Sequence, residues 1–451
     1  MLGAWKARAA SVNLNYRYTT DELRHVLVDA GAVAVVYHAR FGAMLADAVP
    51  ESVRLLVVVD DESGAPPLPG SIPYDDLLAG AADSRPALDW SGDDRYVVYT
   101  GGTTGAPKGV LWRQEDFLTS ALGIDTRLED LVARAGGDDR PRALPAPPFM
   151  HGAAHWNAIS CWLAGGTVVI QDHVDRLDPA DVLEVCVRER VGSLLIVGDA
   201  FARPLVDELE ADPRPVPDLR FLMTGGAILS PSIRHRLLDQ LPDLRIVDIL
   251  GSSETGRHGL STTAAGDDDH SGVFTPSPTT VVLDEARTRR LEPGEEIDGW
   301  LAQRGRVPLG YLGDRAKTES TFPRIGGEVH AVAGDRARLL ADGRIALLGR
   351  DSVTINSGGE KVHAEEVEQA LKRHPSVYDA LVVGRPSERW GQEIVAVVAA
   401  DDAFSAEAVQ AMAGRHLARY KLPKDYVVVD CIRRSASGKP DYAWARSVAG
   451  S

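Results

Sequence analysis

The sequence predicts an α/β protein: a large N-terminal domain of parallel or mixed sheets covered by helices, followed by a small α+β C-terminal domain. Three observations carry this. Over the first three quarters of the chain, short β-branched runs alternate with segments of 3.6-residue apolar period, as crossover helices between strands do. Beyond about Gly349 the order changes to hairpin, helix, strands, helix and strand, the pattern of a separate α+β unit. Lastly, 451 residues at 44% hydrophobic and 25% charged can bury cores that need neither disulfide nor metal.

In chain order, the strands are expected at residues 33–37, 55–59, 96–99, 167–170, 193–197, 220–223 and 245–249, each a short run rich in Val, Leu, Ile or aromatics. Helices are expected between them at 21–30, 180–189 and 231–241. Asp342-Gly343 between 339–340 and 345–348 reads as a hairpin turn. A helix at 364–372, strands around 381–383 and 394–398, a helix at 406–417 and a strand at 426–429 complete the tail. The expected domains are 1–350 and 351–451, with the boundary at Arg350-Asp351-Ser352.

Composition excludes several function classes. With 49 basic against 65 acidic residues the net charge is −16, and no basic stripe suited to nucleic acid is present. A phosphate ligand remains compatible, because local donors override net charge. The three cysteines are scattered, so no disulfide framework or common zinc site is expected, and a reducing cytoplasm is. No apolar run approaches about 18 residues, so no membrane span is expected. The start lacks the apolar core of a secretion signal. Homo-oligomer formation is compatible with the sequence.

The strongest motif runs from Tyr99 through Thr100, Gly101, Gly102, Thr103, Thr104 and Gly105 to Lys108, directly after a strand. Glycines let backbone N–H groups approach phosphate oxygens, hydroxyls donate further bonds, and the Lys adds a mobile charge. It is not a Walker A loop, because no Ser or Thr follows the Lys. A second segment, Leu250-Gly251-Ser252-Ser253-Glu254, stands at the carboxyl end of a strand, where ligands sit in open α/β sheets. Its Glu could hold Mg²⁺ against a phosphate. Gly225-Gly226-Ala227 follows another strand. Further on, Asp335 and Arg350 could take a ribose and a phosphate. Lys439 lies on a Ser/Gly-rich loop near the C-terminus. Only eight of the 49 basic residues are Lys, and three of them fall in such segments: Lys108, Lys439, and Lys361 at the end of the Gly-containing stretch 356–361.

Taken in this order, the segments resemble those of the adenylate-forming superfamily of acyl-CoA synthetases, carrier-loading adenylation domains and luciferases. Residues 110–114, 197–204 and 355–362 resemble bacterial fatty-acid and steroid-side-chain acid:CoA ligases in particular. The resemblance implies that Thr100 to Lys108 cradle the ATP β- and γ-phosphates and that Glu254 binds Mg²⁺. Gly225, Gly226 and Ala227 would line the adenine and acyl carboxylate. Asp335 would hold the ribose, assisted by Arg350. Lys439 would bridge the carboxylate and α-phosphate, and His151 would stand between nucleotide and acyl pocket. Gly358, Gly359 and Glu360 would line a coenzyme A tunnel, reached when the C-terminal domain swings as a lid about Ser352.

The chain departs from the family pattern at Leu250, where a nucleotide-stacking aromatic is usual, and at Ala333 and Ser352. The resemblance opens at residues 2–17 on an internal segment, so the family's first strands and helix are expected to be missing. The implied activity is ATP-dependent ligation of a hydrophobic carboxylic acid to coenzyme A through an acyl-adenylate. Two alternatives stay open: a ligase impaired in adenylation that only converts a supplied adenylate, and a carrier-protein-loading enzyme. Residues 155–161 and 195–201 are largely apolar and mostly of small to medium size, which favours an aliphatic or polycyclic acid.

Overall fold

A computed structural model describes residues 1–84, 86–100, 107–124, 128–136, 140–227, 229–267, 272–357, 360–387, 389–434 and 438–450. Two compact units emerge. The first comprises Met1–Asp125, Phe149–Gly152 and Arg306–Pro323. The second comprises Thr126–Pro148, Ala153–Gly305 and Arg324–Ser451. No helix among the described residues is long and apolar enough to cross a membrane.

The first unit carries two small sheets. Ala34–His38, Leu55–Val59 and Ile72–Pro73 pair in parallel. Along the first of these, Val35 and Tyr37 point into the core while Val36 is exposed, the two-residue alternation of a strand covered on one face. The helix Thr20–Asp29 begins at a capping box, with Thr19 and Glu22 satisfying each other's backbone N–H. The second sheet is antiparallel and joins Gly310–Tyr311, Lys108–Arg113 and Arg95–Thr100. Tyr96, Trp112 and Phe117 are fully buried beneath it, with the Tyr96 and Phe117 rings 4.5 Å apart.

The second unit is built on a mixed sheet. Its parallel half contains Thr167–Val168, Arg142–Pro145, Ser193–Ile196, Phe221–Gly225 and Arg245–Ser252. The helices Pro179–Arg188, Gly198–Ala211 and Pro231–Gln240 bury Val182, Leu183, Leu205, Leu209, Ile233 and Leu237 in one cluster with Leu194, Ile196, Leu222 and Ile246 of these strands. The antiparallel half continues through Gly256–Thr263, Val273–Pro276, Ile345–Arg350, Asp335–Leu339 and Asp298–Arg304. The expected hairpin about Asp342-Gly343 joins two of these strands. The strand expected at 167–170 shortens to Thr167–Val168.

After the 3₁₀ turn Asp351–Val353 the chain forms a five-stranded sheet of Glu360–His363, Thr354–Ser357, Gly391–Ala400, Val377–Ser387 and Asp425–Val429. Alternation sorts its side chains. Ala380, Val382, Ile394, Ala396 and Val398 face the helices Ala364–Leu371 and Ala406–Ala413. Leu381, Val383, Val395 and Val397 face Tyr442–Ala449. Both faces of this sheet are therefore filled, and the C-terminal module has a core of its own. The helix expected at 406–417 ends at Ala413, with Gly414 at its C-cap.

Candidate active site

In the first unit, the Gly/Thr-rich segment connects two antiparallel strands, since Thr100 pairs with Lys108. Gly101, Gly102, Thr103, Thr104 and Gly105 lie outside the described residues. Lys108 donates from Nζ to Asp314 Oδ2 at 2.6 Å and lies 5.9 Å from the Tyr311 ring centroid. Asp314 also caps the helix Arg315–Thr321, accepting from Lys317 N at 2.9 Å. The Lys108 hydrogen bond is the largest cause holding the Asp314 carboxyl below the usual range. Sequence reasoning missed this partner, which is 206 residues away along the chain. His151 is half-buried in a segment held by Asn13, whose Nδ2 donates to Phe149 O at 2.9 Å.

In the second unit, Gly225 ends its strand where a Cβ would stand 2.9 Å from Ile249 O, so only glycine lets the two strands approach this closely. Gly226 is exposed, and Ala227 packs against the cluster beneath the parallel strands. Leu250, Gly251 and Ser252 end the neighbouring strand, and the chain reverses through Ser253, Glu254 and Thr255 into Gly256–Thr263. Glu254 thus sits in a hairpin turn and not at a helix start. Buried Thr255 fixes the turn, its Oγ1 accepting from Ser252 N at 3.2 Å and meeting Ser252 Oγ at 3.0 Å. Leu250 packs against the apolar cluster of Val282, Leu291, Leu301, Ala337 and Ile345.

Asp335 and Arg350 stand opposite each other at the ends of two antiparallel strands. Arg350 Nε lies 3.3 Å from Asp335 Oδ1. Arg350 is raised above its ordinary pKa first by Asp335, then also by Glu254 and Glu365, although burial opposes this. Lys439 is pulled below the ordinary lysine value, chiefly by desolvation and then by the positive charge of Arg350, while Glu254 acts the other way. The residue as a whole retains solvent-exposed surface. It is the ammonium's loss of hydration, beside a second cation, that accounts for the shift. Five charged groups, Glu254, Asp335, Arg350, Glu365 and Lys439, therefore act on one another within this unit, and four were singled out in the sequence.

Ser352 lies in the short 3₁₀ turn that leads into the C-terminal module. Glu360 is exposed at the start of its strand, opposite Ser357, and Gly358 and Gly359 lie outside the described residues. Glu365, on the first turn of Ala364–Leu371, was not anticipated. Burial pushes its carboxyl up to about 7, with Asp335 adding repulsion.

The arrangement can neutralise anions. Arg350 and Lys439 supply two positive charges that act on each other and on Glu254, a setting in which an anion is stabilised. Among the described residues no group of three or more His, Cys, Asp or Glu could hold a metal by itself.

The sequence profile of the AMP-binding enzymes matches residues 1–312, and that of the AMP-binding enzyme C-terminal domain matches residues 366–439. The chain is 48% identical to the medium-chain acyl-CoA ligase Mig of Mycobacterium avium, over the whole of this chain and 84% of that one. It is 38% identical to the 3-oxocholest-4-en-26-oate–CoA ligase of Rhodococcus rhodochrous, again over the whole of this chain and 84% of the other. In fold it matches ATP-bound MatB from Rhodopseudomonas palustris with a TM-score of 0.79 at 22% identity, covering 99% of this chain and 85% of that one.

Proposed function

The chain belongs to the AMP-binding enzymes, and from that premise we propose that it is an ATP-dependent acid:CoA ligase for hydrophobic carboxylic acids. The relatives supply the substrate class, since they are named for medium-chain acids and for a sterol-derived acid. The observation that carries the reading is the convergence of Glu254, Asp335, Arg350 and Lys439.

A carboxylate is a poor electrophile, so activation begins with its oxygen attacking the ATP α-phosphorus. That brings two anions together. Lys439 offsets their repulsion at the point of approach, while Arg350 and Asp335 hold the nucleotide through phosphate and ribose. Pyrophosphate leaves, and the thiol of coenzyme A then attacks the acyl carbon and expels AMP. In the first unit, Lys108 exchanges Asp314 for a phosphate.

Mg²⁺ fits the donor set. This ion favours one or two carboxylates together with substrate phosphates, and Glu254 supplies one hard oxygen donor of that kind. When bound, it neutralises phosphate charge.

The second step needs different groups at the same carbon. We assign residues 351–451 as a lid domain on 1–350, turning about Ser352, with Gly358, Gly359 and Glu360 lining the thiol's path. His151 borders the acyl side. Since its substrates are ATP and coenzyme A, the enzyme works in the cytoplasm. The test is a panel of aliphatic and polycyclic acids with ATP and coenzyme A. Formation of AMP and thioester with a hydrophobic acid supports the reading, and no turnover with any of them refutes it.

A further inference from the structure

The C-terminal module is tied to the large sheet by a chain of buried charges that no step above uses. Lys372 closes the helix Ala364–Leu371 with a side chain 3% exposed. Its Nζ lies 3.5 Å from Asp199 Oδ2 and 4.0 Å from Asp379 Oδ1. Asp199 is itself buried at the start of Gly198–Ala211, and its other oxygen accepts from Ser230 N at 2.7 Å. One residue earlier, Gly198 N donates to Thr224 Oγ1 at 3.0 Å, which ties this turn to the residue preceding Gly225.

On the other side, Asp379 accepts from Arg434 Nε and Nη2 at 2.8 Å each. Arg434 Nη1 donates to Gly438 O at 3.1 Å. Gly438 is buried with φ +74, and a Cβ there would stand 3.1 Å from Val197 Cγ1. Arg203 stacks over Tyr378 at 5.4 Å and donates to its carbonyl. A continuous path therefore runs from Thr224 through Asp199, Lys372, Asp379 and Arg434 to the residue before Lys439. Glu365 and Glu368 face Lys372 from its own helix, but burial pushes both carboxyls up, so Asp199 and Asp379 supply the charge that pairs with the ammonium.

We propose that Lys372, with Asp199, Asp379 and Arg434, is the latch that docks the C-terminal module with Lys439 in place for adenylation and releases it for the thiol step. The proposal rests on the ligase reading. Lys372 is a positioning residue, acting through Arg434 and Gly438. The physical reason for using charge is reversibility. A wide apolar seam loses its burial energy on opening, whereas each member of a buried ion pair regains hydration when the seam opens. Removing one member leaves an uncompensated buried charge, so the docked state is then strongly disfavoured.

The experiment compares wild type, Lys372→Met and Asp199→Asn/Lys372→Met. In Lys372→Met, acid-dependent ATP–pyrophosphate exchange should fall in kcat by about tenfold or more with little change in KM, while thioester formation from supplied acyl-adenylate is retained. Hydrogen exchange should rise at 433–434 and 438–440 but not in Gly391–Ala400, and the double variant should be no worse than the single one. Unchanged exchange at 438–440 overturns the latch. So does equal loss of both half-reactions with Gly391–Ala400 also deprotected, which marks a merely structural role. If the wild type performs neither half-reaction yet 438–440 still loosens in Lys372→Met, docking by Lys372 stands and the ligase reading falls.

Discussion

Asp335 and Arg350 face each other across an antiparallel strand pair, with Oδ1 and Nε 3.3 Å apart. One guanidinium thereby links the proposed ribose-holding carboxylate to Glu254 and Lys439, whose charges it also feels. Asp335→Ala should raise the KM for ATP about tenfold, the size of one charge-assisted contact, with a smaller change in kcat. Initial rates across an ATP titration check this, and an unchanged KM contradicts it.

Lys439→Ala should abolish adenylate formation yet leave thioester formation from supplied adenylate largely intact, because the role proposed for its ammonium is confined to the approach of two anions. The charged form is the active one, so adenylation should persist below the Lys439 pKa and fail as pH rises through it. Desolvation and Arg350 lower that pKa, which places the alkaline limb below the ordinary lysine range. Arg350→Gln removes the repulsion and should move the limb to higher pH. A pH profile of pyrophosphate exchange in both proteins reads the shift, and a limb that stays put would detach Lys439 from Arg350.

Glu254→Gln keeps the hairpin turn, which is secured by Ser252 and Thr255, but removes the carboxylate. Adenylation should slow by about 10²-fold, and the Mg²⁺ concentration for half-maximal rate should rise. A magnesium titration identical to wild type excludes Glu254 as the donor.

Glu368 is buried in the C-terminal module, accepting from Val382 N at 2.9 Å and from the Tyr442 hydroxyl at 3.3 Å. Burial, then repulsion from Glu365, pushes its carboxyl up to about 8. Between the unfolded value of about 4.3 and this value the folded state binds the extra proton. Stability from this group is therefore full at low pH and is lost as pH rises through that window. Glu368→Gln mimics the protonated acid. Its Tm relative to wild type should be higher at about pH 8.5 than at about pH 5.5, and an equal difference at both would refute the sign.

The parts of this site that were legible in sequence are those in which one short segment carries both the turn and the chemistry. Gly225, Glu254 and Asp335 stand at strand ends and Lys439 in a Ser/Gly-rich loop, so their segments stood out in the sequence, and the resemblance to the family implied their roles. Partners set by folding were not legible. Asp199 meets Lys372 across 173 residues, and Lys108 meets Asp314 across 206. The scarcity of lysine, which drew attention to Lys108 and Lys439, applied equally to Lys372 and was a usable signal. In the fold, the parallel strands announced themselves as apolar runs. The antiparallel strands Gly256–Thr263 and Asp298–Arg304 did not, because Gly, Ser, Arg and Gln interrupt them.

The remaining question is whether the chain runs both half-reactions. Leu250 occupies the place where the family's stacking aromatic is usual, and it packs into the apolar cluster with Val282 and Leu301. Loss of that stacking should weaken ATP binding by about 1 kcal/mol, several-fold in KM. Such a deficit is small beside the contributions proposed for Lys439, Arg350 and Glu254, and stacking acts on nucleotide binding, not on the attack at phosphorus. Adenylation should therefore show a raised KM for ATP with kcat preserved. The measurement is a pair of initial rates at saturating ATP: pyrophosphate release from matched acid plus ATP, and thioester formation from acyl-adenylate plus coenzyme A. Comparable rates are expected, because ATP saturation hides a binding deficit. Turnover of supplied adenylate without pyrophosphate release at any ATP concentration would instead make this an enzyme that consumes an adenylate formed elsewhere.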